Sequence, residues 1–485
     1  MAAGAADYDS IKLRVWSFIR RFDNRAGFGL GDARAYISAL VDVMILEQGY
    51  DYLTALKEAV EHAEGVYSSR GYGGVVEDYS RVYREWLGLD RSKLAANRYL
   101  SGIRGPRYEG AGARGELTVV SLFTGAYGLD LGFELAGFRV AVALDISEDS
   151  FTNLRVNRPR LPFLLGDIKR FSTEDILKEA GLRPGEVDVI TGGPPCQPFS
   201  PAGKRQSLRD PRAAPLMDFI RVVKEARPKV FVMEEVPGIL SARISHVPIK
   251  ERRKRPLAPE EEPGSAWRVV LGELSKTGYR VAWRVLNAAD YGTPQVRERV
   301  IVIGVRPDLG KAPAFPEPTH SRAPASLLGT LRPWLTLAEA LAGVEDHVGY
   351  TPLPPKYAKY MRYVPPGGNW RQIPDELRPE AMNAAYSAGG GRMGFYRRLA
   401  WFEPSPTLVT SPAMKATMMV HPWEDRPLSV REYLRVQGFP DEWKVAVPVQ
   451  DAYRLFGEAV PVPLARAIAE AVLAIFAREL EEVWE

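Results

Sequence analysis

The single cysteine of this 485-residue chain, Cys196, lies in the segment TGGPPCQPFS (191–200). The segment follows an apolar run of strand length, and its prolines fix backbone angles and so hold the sulfur in place. A purely structural cysteine would lie inside the apolar run, whereas this one stands just after it, where α/β proteins place their sites. Because a thiolate is a strong nucleophile, Cys196 is a candidate for covalent chemistry.

Two further segments bring charged side chains to the ends of apolar runs. FVMEEV ends a predicted strand with the acids Glu234 and Glu235, and QVRER places Gln295, Arg297 and Arg299 just before a later strand. A carboxylic acid and fixed guanidinium groups near a thiol are suited to acid–base and electrostatic catalysis. An ordinary ion pair is the alternative interpretation of the two arginines.

A third pattern indicates a nucleoside cofactor. VVSLF, GAYG and LDLGFELAGF predict a strand, a glycine-containing turn and a helix, in which backbone amides can approach a ligand. Asp145 ends the next strand, 20 residues after Gly125, where a carboxylate can bind ribose hydroxyls, and Asp167 ends the third strand. Dehydrogenases and many methyltransferases share this pattern, and a tight turn without a ligand is the alternative.

The composition is that of a globular protein, with 46% hydrophobic and 26% charged residues and a net charge of +4. This charge permits a polyanionic partner without requiring one. A single cysteine excludes an internal disulfide and a cysteine-built zinc site, and we expect no metal. The first residues lack the features of a secretory signal, and no uncharged apolar run approaches the roughly 18–20 residues of a membrane span. We therefore expect a soluble, cytoplasmic protein without a membrane partner.

We predict four segments along the chain. Residues 1–115 show helical periodicity and end in a linker, and residues 116–306 alternate strands with helices. Residues 307–425 are rich in Pro, Gly and aromatics and predict a loop-rich module, while residues 426–485 return to a helical pattern. The fold class is therefore α/β, with a doubly wound, mostly parallel sheet, an inserted module and an N-terminal all-helical extension.

The N-terminal helical segment contains a basic stretch. Between Arg81 and Arg107 there are seven Lys and Arg residues and two Asp and Glu residues. A solvent-exposed helix face is one interpretation, and contact with phosphate groups is the other. A glycine-rich turn is predicted just before this stretch, at residues 71–74.

In chain order, these segments resemble motifs of the cytosine-carbon-5 DNA methyltransferase family over roughly 118–304 and again over 404–470. SLFTGAYGLDLGFELAGF resembles the cofactor turn, GGPPCQPFS the nucleophile loop, MEEV the E-N-V segment and QVRER the Q-x-R-x-R segment. RPLSVREYLRVQGFP (426–440) resembles a late helix motif, and GEAVPVPLARAIAEAV (457–472) resembles the closing G-N-A-V-P motif. The resemblance implies a Rossmann-like catalytic domain, completed by the C-terminal helices, with 307–425 as the target-recognition region.

The resemblance also implies a mechanism. The thiolate of Cys196 adds to carbon 6 of a cytosine that has been flipped out of the duplex. Carbon 5 of the resulting enamine then takes the methyl group of S-adenosylmethionine. Glu234 hydrogen-bonds or protonates ring nitrogen 3, and Arg297 and Arg299 contact the base carbonyl or a nearby phosphate, with Arg299 favoured for the base. The chain is thus predicted to be a sequence-specific DNA (cytosine-5-)-methyltransferase.

The implied cofactor is S-adenosylmethionine, and the implied partner is double-stranded DNA. The cofactor contacts implied by the resemblance are Phe123, Gly125, Gly128, Asp145, Ile146, Asp167, Ile168, Pro195, Glu458 and Val460. The implied DNA contacts lie mostly in and beside a loop that closes over the flipped base, and are Gln197, Ser200, Lys204, Arg205, Arg209, Arg212 and Gln295.

Three positions depart from the family's pattern. Tyr127 stands where a second glycine is usual, which predicts a less open turn, and Glu235 and Glu458 replace the usual Asn of their motifs. Because neighbouring side chains of a strand point to opposite faces, we expect Glu235 to face a helix layer rather than the base pocket. We hypothesise that each acid has an arginine or backbone-amide partner, or that the two acids face each other and share a proton.

Two alternative functions stay open. RNA-directed relatives methylate tRNA with the same cysteine but carry a reduced recognition region, and a catalytically silent nucleic-acid-binding relative would not require Cys196, Glu234 and Arg299. We expect a monomer, with a cognate restriction endonuclease as a partner. Deleting residues 1–110 is expected to weaken DNA affinity while sparing sequence specificity.

Overall fold

The computed structural model describes residues 3–22, 28–91, 100, 103, 117–195, 214–245, 247, 252, 255–323, 331–345, 348–387 and 394–481. The N-terminal segment forms three helices, which are Ala3–Ile19 (α1), Leu30–Gln48 (α2) and Tyr52–Gly88 (α3). Within α3 the backbone of Gly71 has a φ of 65°, which is not helical. The predicted glycine-rich turn is therefore a kink at one glycine inside a long helix.

Eight strands follow: Thr118–Leu122 (β1), Arg139–Asp145 (β2), Phe163–Leu165 (β3), Val189–Gly192 (β4), Val230–Glu235 (β5), Arg280–Asn287 (β6), Gln295–Val296 (β7) and Glu298–Val305 (β8). All except β7 form one sheet in the order β3-β2-β1-β4-β5-β8-β6. Strand β8 runs antiparallel to its neighbours β5 and β6, and all other neighbouring strands of this sheet are parallel. The strand order reverses between β1 and β4, so their carboxyl ends flank the crevice in which such sheets bind ligands.

Helices cover both faces of the sheet, as the alternation of strands and helices predicts. Those between the strands are Gly128–Leu135 (α4), Glu148–Asn157 (α5), Thr173–Ala180 (α6), Ala214–Ala226 (α7) and Ser265–Ser275 (α8). Helices α6, α7 and α8 pack on one face around Phe219, Phe231 and Val302. Helix α4 packs on the other face, where Leu131 and Ile301 belong to a larger apolar core.

The loop-rich region contains short elements: strands His320–Ser321 (β9), Arg332–Pro333 (β10) and Ser405–Pro406 (β11), and helices Leu337–Leu341 (α9), Pro355–Met361 (α10), Arg378–Met382 (α11) and Ala384–Ser387 (α12). Strand β9 pairs with β10, and β11 pairs with β7. A small apolar cluster around Tyr360, Tyr396 and Met418 holds part of this region together. The chain ends in helices Val430–Gln437 (α13), Val449–Glu458 (α14) and Val462–Glu481 (α15).

The N-terminal helices share one apolar core with the loop-rich region and the C-terminal helices. Two polar contacts cross this junction inside the protein. Lys12 is completely buried, and its Nζ lies 3.1 Å from Oε2 of Glu339 in α9. Nε1 of Trp16 donates a hydrogen bond of 2.9 Å to the carbonyl oxygen of Phe402. The helical segment is thus packed against the loop-rich region.

A buried carboxyl group makes a third link across the same junction. The oxygens of Asp42 in α2 accept hydrogen bonds from the indole N–H groups of Trp86 at 2.8 Å and Trp423 at 2.9 Å. Because complete burial penalises the charged form, the pKa of Asp42 is raised to about 6. Its neutral form is therefore favoured below that pH.

The described part of the basic stretch forms contacts within the protein. Arg81 forms ion pairs with Asp78 and Glu85, at 2.8 and 2.7 Å. Arg91 lies over the ring of Trp86, at 4.2 Å from its centre. These contacts favour the solvent-exposed helix face over phosphate contact for this part of the stretch.

Among the described residues, one stretch is long and apolar enough to cross a membrane by length and composition, Val449–Phe476. It comprises most of α14 and α15, and 61% of its most apolar window is buried inside the protein. Leu464, Ile468 and Val472 of α15 belong to the main core. Packing within this core, against α4 among other elements, therefore accounts for the apolar character of α15.

Candidate active site

The ends of β4 and β5 bring two predicted segments together. The two strands are paired in parallel, so Gly193, just after β4, lies beside Glu234 near the end of β5. A Cβ atom added to Gly193 would lie 2.8 Å from Oε2 of Glu234. Any larger residue at this position would require the carboxylate of Glu234 to move. The loop that continues from Gly193 carries Cys196 three residues later.

Pro195 is the last described residue of that loop, and it is exposed. The predicted nucleophile Cys196 lies outside the described residues. So do six of the predicted DNA contacts, namely Gln197, Ser200, Lys204, Arg205, Arg209 and Arg212.

Glu234 and Arg299 form an ion pair at the crevice. Nε of Arg299 lies 2.5 Å from Oε1 of Glu234, and the two side chains are 10% and 13% exposed. In the antiparallel pairing of β5 with β8, Glu234 stands opposite Ile301. Arg299 is two positions before Ile301, so its side chain lies on the same face of the sheet as that of Glu234. The structure thus brings the predicted acid and the favoured arginine into direct contact.

Glu235 lies on the opposite face of the sheet and is completely buried. Its Oε2 accepts a hydrogen bond from the backbone amide of Val236, while Oε1 has no hydrogen-bond partner among the described residues. Burial, and secondly the charge of Glu234, raise the pKa of Glu235 well above its ordinary value. As its strand position predicts, Glu235 faces the helix layer, with a backbone-amide partner and a pKa shift that favours its neutral form.

Glu458 lies elsewhere, at the end of α14. Partial desolvation raises its pKa, the charges of Arg454 and Arg297 lower it, and the charge of Asp145 raises it. These neighbours differ from those of Glu235, so the arrangement in which the two acids share a proton does not occur. Glu458 instead lies near the predicted cofactor-binding carboxylate, Asp145.

Arg297 and Gln295 are buried, and their polar atoms point into the protein. Arg297 donates hydrogen bonds of 3.0 Å to the carbonyl oxygens of Gly457 and Glu458. The amide nitrogen of Gln295 donates to Oε1 of Gln437 in α13 at 2.9 Å. These contacts tie β7 to the closing helices. They do not support the predicted contact of Arg297 with the base or of Gln295 with DNA, because neither side chain is exposed to a ligand.

The predicted cofactor turn is shaped by Asp145. Its Oδ2 accepts a hydrogen bond from the amide of Gly125 at 2.7 Å, and its Oδ1 accepts one from the amide of Ser147 at 2.8 Å. Phe123 and Gly125 have positive φ angles of 57° and 53°. The next side chain, Ile146, is apolar yet 68% exposed. The turn therefore presents a carboxylate and an apolar platform side by side.

The remaining predicted cofactor contacts have visible packing roles. Oδ1 of Asp167 accepts from the amide of Lys169 at 3.0 Å, at the start of a short turn whose first residue, Ile168, is buried. A Cβ atom on Gly128 would lie 2.2 Å from the carbonyl oxygen of Val460, so glycine allows α4 to pack closely against the closing motif. Direct cofactor contacts of these residues stay predictions.

The model of the family C-5 cytosine-specific DNA methylase matches residues 117–474. The chain belongs to this family. The match begins next to β1 and leaves out helices α1, α2 and α3. This methylase is therefore a DNA (cytosine-5-)-methyltransferase, as the motifs predict.

Curated relatives agree with this assignment. The chain is 36% identical over 375 residues to the Type II methyltransferase M.PspPI of Psychrobacter sp. (strain TA137), covering 76% of this chain and 82% of that protein. It is 35% identical over 360 residues to the Type II methyltransferase M.Sau96I of Staphylococcus aureus, covering 74% and 76%. It is also 35% identical over 363 residues to the Type II methyltransferase M.Eco47II of Escherichia coli, covering 73% and 78%.

A solved structure described as a DNA modification methyltransferase encoded within an E. coli prophage has the same fold. It is 24% identical, with a TM-score of 0.50, and the alignment covers 75% of this chain and all of that chain. The predicted family and α/β fold class are thus confirmed. Family membership and the methyltransferase fold imply that this methylase uses S-adenosylmethionine.

Tyr127 of this methylase has a φ of 72°, in the left-handed region that favours glycine. Its side chain is buried: the hydroxyl donates to Oε1 of Glu134 at 2.7 Å, and the ring stacks on Trp443 with 6.0 Å between centres. The guanidinium of Arg158 lies beside the ring and pairs with Glu134. The side chain is taken up by packing, and so does not itself narrow the turn.

Asp130 is a buried site residue that the sequence analysis missed. It lies in α4, and its oxygens accept hydrogen bonds from the hydroxyls of Ser121 in β1 and Thr191 in β4, at 2.7 and 3.2 Å. Complete burial raises its pKa to about 7. The sequence signal that could have identified Asp130 is an acid on the apolar face of the predicted helix LDLGF.

We expect the replacement Asp130→Asn to stabilise the methylase at pH 8 but not at pH 4. Because the pKa of Asp130 is higher in the folded than in the unfolded protein, its protonated carboxyl group contributes fully to stability below about pH 4. This contribution is lost as the pH rises to about 7. The difference between a pKa of about 7 and the ordinary value of 3.8 corresponds to a loss of at most ~4 kcal/mol of unfolding free energy on ionisation of Asp130. Both partners are hydroxyls, which can donate to or accept from Asn. Urea unfolding at pH 4, 6 and 8 measures the difference.

Asp42→Asn provides the contrasting control. Both partners of Asp42 are indole N–H groups, which only donate, so an Asn amide can accept from one of them and must oppose the other. We expect Asp42→Asn to cost about 1–3 kcal/mol of unfolding free energy at pH 4, where the charge of Asp42 plays no part. An Asp130→Asn protein that is equally destabilised at pH 4 and pH 8 would contradict the assignment of Asp130 as a buried, proton-holding acid.

Proposed function

We propose that the chain is a sequence-specific modification methyltransferase for duplex DNA that works as a cytoplasmic monomer, with Cys196, Glu234 and Arg299 as its catalytic residues. The observation that carries this proposal is the Glu234–Arg299 ion pair beside Gly193, at the start of the loop that carries the only cysteine. An acid and a guanidinium group thereby lie at the end of the sheet from which the chain continues toward Cys196.

In the proposed reaction, the thiolate of Cys196 forms a bond to carbon 6 of the cytosine. The electron pair of the 5,6 double bond moves toward ring nitrogen 3, which takes a proton from Glu234, and carbon 5 becomes nucleophilic. When bound, S-adenosylmethionine supplies an electrophilic methyl group to carbon 5. Loss of the carbon 5 proton to a base then expels the Cys196 thiolate, and ring nitrogen 3 returns its proton to Glu234, which restores the aromatic ring. Each bond that forms is thus balanced by one that breaks.

Arg299 holds Glu234 in place and offers N–H donors to the carbonyl oxygen of the base. A guanidinium group has donors to spare, so it can hold the carboxylate through Nε and still reach a ligand through its terminal nitrogens. Arg297 has the different role of a positioning residue, because it fixes the backbone of Gly457 and Glu458. It thereby supports the cofactor side of the crevice.

The residues at the cofactor turn fit S-adenosylmethionine. The exposed side chain of Ile146 offers an apolar surface of the kind that an adenine ring packs against. Desolvation and, to a smaller extent, the charge of Asp145 raise the pKa of Glu458. Ribose hydroxyls or the positively charged amino group of the cofactor would relieve this repulsion by donating hydrogen bonds. We propose Asp145, Ile146 and Glu458 as the core of the cofactor site.

The curated relatives support a role in modification. Those named above are called Type II methyltransferases, and by analogy this chain would methylate one short sequence that a cognate restriction endonuclease cuts. Residues 307–425 are proposed to read that sequence. Phosphate contacts are proposed for Lys204, Arg205, Arg209 and Arg212.

Transfer of a tritiated methyl group to duplex DNA and to tRNA tests the proposed substrate. We expect label in duplex DNA alone. Bisulfite sequencing of a plasmid methylated by the pure protein should then show protected cytosines in one short sequence context. Label in tRNA without label in DNA would contradict the proposal, and methylation without any sequence context would remove its sequence-specific part.

Glu234→Gln should lower the rate of methyl transfer by about 10²–10⁴-fold, because Gln can accept no role as a proton donor to ring nitrogen 3. Glu235→Gln is the matched control on the next residue. Burial raises the pKa of Glu235 and so favours its neutral form, and the side chain faces the opposite layer, so the isosteric amide should leave activity within about twofold of the wild type. Equal losses in the two variants would show that the effect of Glu234→Gln is structural.

A further inference from the structure

A cleft of about 390 Å³ lies between the N-terminal helices and the loop-rich region. Trp16 and Arg34 contribute to one wall, and residues of the region matched by the family contribute to the others. We call it the arginine cleft, because its lining includes Arg34, Arg322, Arg397 and Arg398. Glu403 is the only acid in its lining among the described residues.

Two of these arginines are neutralised within the protein. Arg34 forms an ion pair with Glu403, with 2.8 Å between Nε and Oε2. Arg398 is buried, pairs with Asp425 and donates to several carbonyl oxygens, including that of Val364. The positive charge of each is therefore already balanced by a carboxylate of the protein.

The other two have no carboxylate of their own among the described residues. Arg397 is half-buried and donates only one long hydrogen bond there, of 3.3 Å, to the carbonyl oxygen of Met418. The guanidinium of Arg322 donates no hydrogen bond within the described chain, and Glu403, its nearest acid, is held by Arg34. Burial lowers the pKa of both Arg322 and Arg397. A partly buried cation without a counter-charge is unfavourable, and a bound anion would offset that cost.

The two walls of the cleft approach each other closely at Gly367 and Arg34. Gly367 has a φ of 76°, and a Cβ atom there would lie 3.0 Å from Cβ of Arg34. The backbone of the recognition region can therefore approach α2 only because this residue is glycine. The space left between the walls is not filled by side chains, so a ligand can enter it.

The cleft also adjoins the active-site segment. Val296 contributes to its lining, directly before Arg297, and Thr407 donates a hydrogen bond of 2.8 Å to the carbonyl oxygen of Val296. The cleft lining thus includes a residue three positions before Arg299, the proposed contact of the target base. Guanidinium groups bind phosphate oxygens through two parallel N–H donors, which suits a phosphate of the DNA backbone.

We infer that the arginine cleft binds a backbone phosphate of the DNA substrate through Arg322 and Arg397, and that helices α1 and α2 form one of its walls. This inference rests on the proposed DNA substrate. It makes the N-terminal helices, which the family model does not cover, a part of the DNA-binding surface.

The test is the salt dependence of DNA binding by the double variant Arg322→Gln/Arg397→Gln. Each phosphate contact that is lost should reduce the slope of log affinity against log salt concentration by about 0.9, so we expect a reduction of about 1–2. Affinity should fall by the same factor for specific and non-specific duplexes, because phosphate contacts carry no sequence information. Fluorescence anisotropy with labelled duplexes between about 50 and 200 mM salt gives both quantities.

The matched control is Arg268→Gln/Arg466→Gln, which removes two exposed, ion-paired arginines and so the same charge. It should leave the slope unchanged. Arg322→Lys/Arg397→Lys keeps both charges and should retain a slope close to that of the wild type, which separates loss of charge from loss of folding. Thermal unfolding of every variant is measured in parallel.

An unchanged slope in the Gln variant, in a protein whose wild type methylates duplex DNA, would overturn the inference and leave the proposed function intact. A second arm uses inorganic phosphate and a nucleoside monophosphate. If these raise the thermal midpoint of the wild type but not of the Gln variant, while the DNA slope is unchanged, the cleft holds a small free anion and the assignment to DNA is wrong.

Discussion

Replacing Cys196 with alanine should abolish methyl transfer, with a loss of more than about 10⁴-fold, the range seen when a catalytic nucleophile is removed. Carbon 5 of cytosine is too poor a nucleophile to take a methyl group directly, and no second thiol exists in the chain to replace Cys196. Incorporation of tritiated methyl groups into duplex DNA measures the rate. Turnover within tenfold of the wild type would exclude the covalent mechanism.

The control for this variant is its folding and its binding of the cofactor. Cys196 follows the end of β4 by four residues in the sequence, and its replacement by alanine removes one sulfur atom, so Cys196→Ala should keep the thermal midpoint and the affinity for S-adenosylmethionine close to those of the wild type. Loss of cofactor binding would show that the variant is damaged beyond its thiol. Cys196→Ser, which keeps a hydroxyl of similar size, should be equally inactive because a serine hydroxyl does not ionise at neutral pH.

The lone cysteine also allows its ionisation to be measured directly. An ordinary thiol has a pKa near 8.5 and is only about 3% ionised at pH 7. Every alkylation event in the folded protein reports on Cys196, because no other thiol is present. The pH dependence of alkylation, with and without bound DNA, therefore shows how far the site activates the nucleophile.

The sequence predicted the catalytic half of the molecule well because short segments determine it. Strand-length apolar runs and the polar residues that end them were enough to place Glu234, Asp145 and Arg299 at one edge of a parallel sheet. Glu234 and Asp145 lie at the carboxyl ends of the parallel strands β5 and β2. Arg299 lies near the start of β8, which runs antiparallel to β5 and so begins at the same edge of the sheet.

The same reasoning failed where long-range contacts decide the role of a side chain. Arg297 and Arg299 are equivalent in the pattern QVRER, but only the folded chain shows that Arg297 points at the carbonyl oxygens of residues about 160 positions away. Gln295 is buried for the same reason, since its partner Gln437 lies in a distant helix. Local sequence carries no information about such partners.

The departures at Glu235 and Glu458 show a similar limit. Strand alternation correctly predicted that Glu235 turns away from the base pocket. It could not predict that one carboxyl oxygen would stay without a partner among the described residues, nor that Glu458 would lie near Asp145. The surroundings of a buried acid depend on every element packed against it.

Deleting residues 1–91 should remove methylation altogether, rather than weaken DNA affinity alone as the sequence suggested. The deleted helices share one core with the loop-rich region and α15, and they supply the buried partners of Glu339 and Trp423. Without them a large apolar surface and several polar groups would be uncovered, and a polar group that loses its partner costs about 1–3 kcal/mol. We expect the truncated protein to aggregate or to unfold at a much lower temperature. A soluble truncated enzyme with the wild-type methylation pattern would show that the helices are an accessory domain.

The ion pair between Lys12 and Glu339 allows the same dependence to be tested without deletion. Lys12→Met leaves the mostly buried carboxylate of Glu339 without its partner, at a cost of about 3–5 kcal/mol in unfolding free energy. Glu339→Gln removes the charge but keeps the capping contact with the amide of Thr336, which Gln can also make. The double variant should therefore recover much of the stability that Lys12→Met loses.

Arg14→Met is the matched control on the same helix. Arg14 forms its ion pairs with Glu61 and Glu64 inside the helical segment and near the surface, where such pairs contribute about 0–1 kcal/mol. Urea unfolding of the single and double variants gives the coupling between Lys12 and Glu339, and bisulfite sequencing gives the target sequence for each. If the N-terminal helices hold the recognition region in place, Lys12→Met should lower both stability and methylation, and the double variant should restore both. A coupling near zero would mean that the two halves fold independently despite their shared core.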